Sequence, residues 1–208
     1  MTGPITEFII LTLKNHATSP SQPPAAWSDV TDTLKSVPGV DAVYTGTQIE
    51  DPSKTVLVVQ WASPEAFSAF AASESYMPWF ASLKAVSAHA SPDTPGTAPP
   101  LFYKVFVAYG VDDSFAGRTA DFAKGLADGR ASVEGFHGHA YGEISTPLAW
   151  EGSGDGEKGP AVTLLLGWDS KQAHLDAKAR PGPISNNIDL LRTGRKGISM
   201  YHVNLKRL

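Results

Sequence analysis

Three observations predict that this 208-residue chain is an α+β protein made of two ferredoxin-like βαββαβ repeats. Their antiparallel sheets would pack face to face as an intramolecular, pseudo-dimeric α+β barrel. First, Ser36-Val37-Pro38-Gly39-Val40, followed by Gly46, recurs as Ser132-Val133-Glu134-Gly135-Phe136, followed by Gly142. Serine, valine and both glycines return at a constant offset of 96. Second, Thr55-Val56-Leu57-Val58-Val59-Gln60-Trp61, followed by Ser63, recurs as Val162-Thr163-Leu164-Leu165-Leu166-Gly167-Trp168, followed by Ser170, at an offset of 107. Third, four prolines crowd into residues 91–100, between the copies. The two offsets differ by 11 residues, which an insertion at about 147–160 accounts for. Its Glu151-Gly152-Ser153-Gly154-Asp155-Gly156 has the composition of a surface loop.

Period and breakers give the elements of each copy. The first copy, residues 1–92, opens with a strand at 7–14 and crosses a proline-rich loop at 19–24. A helix at about 25–36 follows, on which Trp27, Val30 and Leu34 return at helical spacing. Pro38-Gly39 ends that helix. Strands at 40–50 and 54–61 come next. Ser63 then caps a helix with Glu65 near its positive end. A helical turn at 77–83 and a strand at 84–90 complete the copy. Residues 93–100 form the linker. The second copy, residues 101–208, repeats the order: strand 101–110, helix 115–127, strand 133–145, the insertion, strand 161–168, helix 170–179, a helical piece at 184–191 and strand 197–205. Such a sheet carries helices on one face only, and a second copy is the economical way to bury the other.

The hydrophobic share of 42% is ample for a core, and a formal charge of −4 with no basic block gives no footprint for nucleic acid. The longest apolar runs fall far short of the ~20 residues that span a bilayer, and the N-terminal Met-Thr-Gly-Pro lacks signal-peptide character. These features predict a cytoplasmic protein without a membrane or nucleic-acid partner, either a monomer by virtue of its internal pseudo-dimer or a homodimer. Zero cysteines exclude disulfides, thiolate nucleophiles and cysteine-ligated metals. No glycine-rich nucleotide loop or G-x-S-x-G motif occurs, so no cofactor is expected.

The apolar strand ending in Trp61, then Ser63-Pro64-Glu65-Ala66-Phe67 with Phe70, then Tyr76-Met77-Pro78-Trp79-Phe80, resembles the dimeric α+β barrel superfamily, antibiotic-biosynthesis-monooxygenase-like, in tandem form. The second copy keeps Trp168, Ser170, Ala173 and His174. The resemblance implies this fold and one of several activities: cofactor-free oxygenation of aromatic polyketides, polyketide cyclisation, lactone isomerisation, hydroxynitrile cleavage, haem degradation or a stress role. In plant-type cyclases of the fold, a Tyr and a His-Pro-x-His element supply acid and base. Here those places hold Phe70 and Tyr76, and Ala177 and Pro183, so the resemblance does not imply that mechanism.

Alternation along a strand puts His137, His139, Tyr141 and Glu143 on one face and Phe136, Gly138, Ala140 and Gly142 on the other. The small, apolar set suits a helix-packed face, so the polar four are expected to look into the barrel as catalytic acid–base groups. The alternative is a buried or solvated polar cluster. The first copy has Asp41, Val43, Thr45 and Thr47 at these places, which predicts one site per chain. A shared metal is not expected, since Glu143 lies roughly 20 Å along a straight strand from His137. Tyr103, Lys104, Trp61, Trp168 and His202 are the candidate substrate-binding residues. Packing is the alternative for the tryptophans, and snorkelling to water the alternative for Lys104. The expected function is cofactor-independent cyclase, lyase or isomerase chemistry on an aromatic or polyketide-like small molecule. The alternatives are a cofactor-free monooxygenase and a non-catalytic ligand-binding or stress-related barrel.

Overall fold

The computed structural model describes residues 3–14, 24, 26–93 and 102–208, with 88–93 and 102 by their backbone alone. The proline-rich loop expected at 19–24 and the linker expected at 93–100 lie largely outside these residues. Two units divide the chain: residues 1–100 together with 204–208, and residues 101–203.

The first unit runs β1 (Ile5–Leu13), α1 (Trp27–Ser36), β2 (Val40–Thr47), β3 (Lys54–Trp61), α2 (Pro64–Ala71), α3 (Tyr76–Val86) and β4 (Ser87–Asp93). Its helices gather on one sheet face, where Ile9, Leu11, Leu57, Val59 and Trp61 form one core with Trp27, Val30 and Leu34 of α1, Phe70 of α2 and Trp79 of α3. All of Val56, Leu57, Val58 and Val59 are buried, which is why β3 reads as a continuous apolar run rather than an alternating one. The helical turn foreseen at 77–83 extends to Val86, which delays β4 by three residues.

The second unit runs β5 (Phe102–Tyr109), α4 (Phe115–Asp128), β6 (Phe136–Leu148), β7 (Gly159–Trp168), α5 (Lys171–Ala179), α6 (Pro183–Asn187) and β8 (Gly197–Asn204). Its strand order, β6-β7-β5-β8, matches the β2-β3-β1-β4 of the first unit. Register matches as well: Ile5 stands opposite Trp61 and Phe102 opposite Trp168. The caps agree too, since Ser63 Oγ accepts from the Ala66 N–H and Ser170 Oγ from the Ala173 N–H.

The repeated glycines have a common task. Gly39 at φ +86° and Gly135 at φ +75° sit in left-handed turns, and an added Cβ would stand 2.5 Å from Ala66 Cβ or 2.8 Å from Ala173 Cβ. A repeated glycine thus meets a repeated alanine in each unit, letting the turn approach the following helix. The inserted loop after β6 is anchored by Trp150, which lies against Gly197. Lys196 stands over the Trp150 ring and bonds Glu157 at 2.9 Å.

The last residues depart from the expected plan. A short strand β9 (Lys206–Arg207) joins the first unit's sheet beside β2, pairing Arg207 with Tyr44 and Lys206 with Thr45.

Candidate active site

A β-bulge at the start of β6 rearranges the expected constellation. Phe136 stands opposite Trp168 but Gly138 stands opposite Gly167, so two residues of β6 answer one of β7 and the alternation shifts. His139, Tyr141 and Glu143 therefore oppose Leu166, Leu164 and Val162, the residues of β7 that pack with α4. The expectation placed these side chains on the face away from the helices. They lie instead on the helix-bearing face, while Ala140 and Ile144 are buried on the other. Because β6 is an edge strand, the row stays accessible: Tyr141 is 43% exposed. The His139 and Tyr141 rings lie 6.1 Å apart, and partial burial pushes the His139 imidazole below its usual value.

His137 leaves this row. Its Nε2 lies 2.5 Å from Oδ1 of Asp169, the residue that follows the tryptophan ending β7. The Asp169 N–H donates to the Gly135 carbonyl at 2.8 Å, so the turn before β6 is tied to the end of β7 and the two side chains are held together. A neutral imidazole that donates Nε2–H to a carboxylate keeps its lone pair on Nδ1, the arrangement of an oriented general base. Asp169 escaped the sequence reading. Set against the first copy, it replaces Ala62 as His137 replaces Asp41. Reading the two offsets together would have singled out both residues as peculiar to the second copy.

Asp169 also borders a half-open cleft of about 360 Å³. Val133, Ala173, Ala177, Pro183 and Ile184 give it apolar walls. Glu134, Asp169 and Asp176 stand among its lining with Arg180, whose Nη1 is 4.0 Å from Glu134.

The candidate substrate-binding residues scatter. Tyr103 is buried on the face opposite the helices, its ring over Gly167, where a Cβ would stand 3.7 Å away. Lys104 opposes Leu166 on the helix-bearing face. Trp61 and Trp168 are each 0% exposed in the cores of different units, which is a packing position. His202 is buried with its Nε2 2.9 Å from Nδ1 of His174, whose ring leans on Trp168 at 5.2 Å. The first unit holds a further buried carboxylate: Glu7 accepts from Trp61 Nε1 at 3.2 Å, and burial raises its pKa. Among the described residues no three His, Asp or Glu side chains are grouped to hold a metal ion, and no helix is long and apolar enough to cross a membrane.

Each unit is a ferredoxin-like α+β fold with its helices on one sheet face, and the chain carries two of them in tandem. Three solved structures match along nearly all of the chain. A candidate monooxygenase of Fusobacterium nucleatum is 14% identical with a TM-score of 0.65, covering 100% of this chain and 95% of its own. An anthrone oxidase-like protein is 15% identical with a TM-score of 0.66, covering 98% and 93%. A candidate monooxygenase of Lactobacillus acidophilus is 12% identical with a TM-score of 0.60, covering 99% and 94%. At these identities the likeness concerns fold. No protein-family model and no curated protein matches the chain.

Proposed function

We propose that this chain is a cofactor-independent enzyme that moves a proton on a small, weakly acidic aromatic molecule, with His137 as the base and Asp169 holding it. The single observation that carries the reading is the 2.5 Å contact between His137 Nε2 and Asp169 Oδ1 at the edge of a cleft of ligand size. His139, Tyr141 and Glu143 supply further acid–base groups along β6, and a partly buried, neutral His139 is in the proton-accepting form near pH 7. Abstraction of a proton from a phenol or an activated CH group gives an enolate or phenolate, the common intermediate of cyclisation, elimination and isomerisation.

A second reading is favoured by the printed descriptions of the full-length structural neighbours, two candidate monooxygenases and an anthrone oxidase-like protein. There the carbanion would meet dioxygen. An anthrone CH2 would become a carbonyl, with one oxygen atom in the product and the other leaving as water. Oxygen uptake with a hydroxyanthrone separates the two: stoichiometric uptake supports oxygenation, and product formation without uptake supports proton transfer alone. In either case His137→Gln and Asp169→Asn should each lower kcat by about 10²–10⁴ with the fold intact by circular dichroism. Unchanged turnover in both would make the dyad a structural contact and favour a ligand-binding protein.

A further inference from the structure

Two residues that line the cleft beside Asp169 stand at positions that carry aromatic rings in the first unit. In the first unit Phe70 stacks on Trp61 at 5.7 Å, and Tyr76 and Trp79 pack on Phe70 at 5.5 and 5.4 Å. At the offset of 107 these positions become Trp168, Ala177, Pro183 and Asn186. Trp168 stays buried against Phe136 and His174, the chain of rings that runs on from Phe70 has no counterpart, and Ala177 and Pro183 line open space of about 360 Å³. A buried aromatic side chain fills a large volume with well-matched contacts, so a flat apolar ligand can restore what the substitutions removed. Ala173 and Ala177, one turn apart on α5, leave a low wall for a ring to lie on.

Charge narrows the ligand. Glu134, Asp169 and Asp176 contribute three carboxylates to the lining against the single guanidinium of Arg180, which faces Glu134. A carboxylate-bearing ligand meets net repulsion there, whereas a hydroxyl can donate to Asp169.

We infer that this cleft binds an uncharged aromatic molecule carrying a hydroxyl, its ring lying against Ala177 and Pro183, the residues at the places of Phe70 and Tyr76. This rests on the proton-transfer reading for its link to catalysis but not for binding itself.

The probe is 2-naphthol, whose hydroxyl, like that of tyrosine, stays protonated at neutral pH, with 2-naphthoate as the charged counterpart. Titration calorimetry on the full chain should give a Kd for naphthol of about 1 mM or tighter, with naphthoate at least tenfold weaker, about one factor of ten being the effect of a single repulsive contact. Ala177→Phe, which installs the first unit's residue, should weaken naphthol at least about tenfold without lowering Tm. Amide shifts on adding naphthol to the wild type should concentrate in residues 132–135 and 169–184, a readout that needs no variant to fold. Naphthol binding unchanged in Ala177→Phe, equal binding of naphthoate, or shifts confined elsewhere would each overturn the inference. His137→Gln separates the two proposals. If it keeps naphthol affinity but loses turnover, both stand. If it keeps turnover while Ala177→Phe loses binding, the proton-transfer reading fails and the cleft stands.

Discussion

Glu7 and Lys104 occupy equivalent places, opposite Val59 and Leu166 at the same offset of 107, yet carry opposite charges. The consequence falls on the tryptophans: Trp61 Nε1 donates to Glu7, whereas Trp168 Nε1, facing a position that holds a donor, has no hydrogen-bond partner among the described residues. Glu7 is 7% exposed, and burial raises its pKa more than the bond from Trp61 lowers it. A carboxyl whose folded pKa lies above its unfolded value contributes most below the unfolded value, here 4.5, and that contribution is lost as pH rises through the folded value. Glu7→Gln should therefore gain on the wild type as pH rises above 4.5, read from urea midpoints. Glu7→Ala, which strands the Trp61 N–H, should lose about 1–3 kcal/mol at any pH. The identity of such residues was legible in the sequence but their partners were not. His137 was visible as a histidine in a strand, whereas the alternation rule cannot register the bulge that turns it toward Asp169, because a bulge depends on how two strands count against each other.

Elements were read more securely than residues. Trp27, Val30 and Leu34 marked α1, and the serines after the two tryptophans marked the starts of α2 and α5, because helical spacing and capping are local properties. The bulge itself is an element-level feature that both units share, between Val40 and Ala42 and between Phe136 and Gly138. It follows the left-handed turn at Gly39 or Gly135 in each, so turn and bulge form one repeated device for starting this strand. Replacing either glycine by alanine forces a side chain into a left-handed backbone and against the facing alanine of α2 or α5. Gly39→Ala and Gly135→Ala should each cost about 1–3 kcal/mol from strain, with overpacking adding to it. Calorimetry on the two variants should give similar losses. A large loss in one and none in the other would mean that the repeated contact does different work in the two units.

At the scale of the whole molecule the duplication was legible because it leaves identities at fixed offsets, whereas the destination of the last residues was not. Leu205-Lys206-Arg207-Leu208 is too short and too charged to read as a strand, and its pairing with β2 is set by tertiary structure alone. Ending the chain at Leu205 should remove the bond from the Leu208 N–H to the Val43 carbonyl and the pairing at Tyr44 and Thr45. Exchange of amides 43–45 should quicken and stability fall by about 1–2 kcal/mol, while exchange in β5 and β7 stays as it was. The same pairing sets an order of events during synthesis. On a ribosome adding about 5–20 residues per second, β2 emerges several seconds before its neighbour β9 has been made. Throughout that interval the β2 edge of the first unit's sheet is open, a stretch of nascent chain ready to pair with a stranger. The bracket that closes it arrives only once Lys206 and Arg207 have been made.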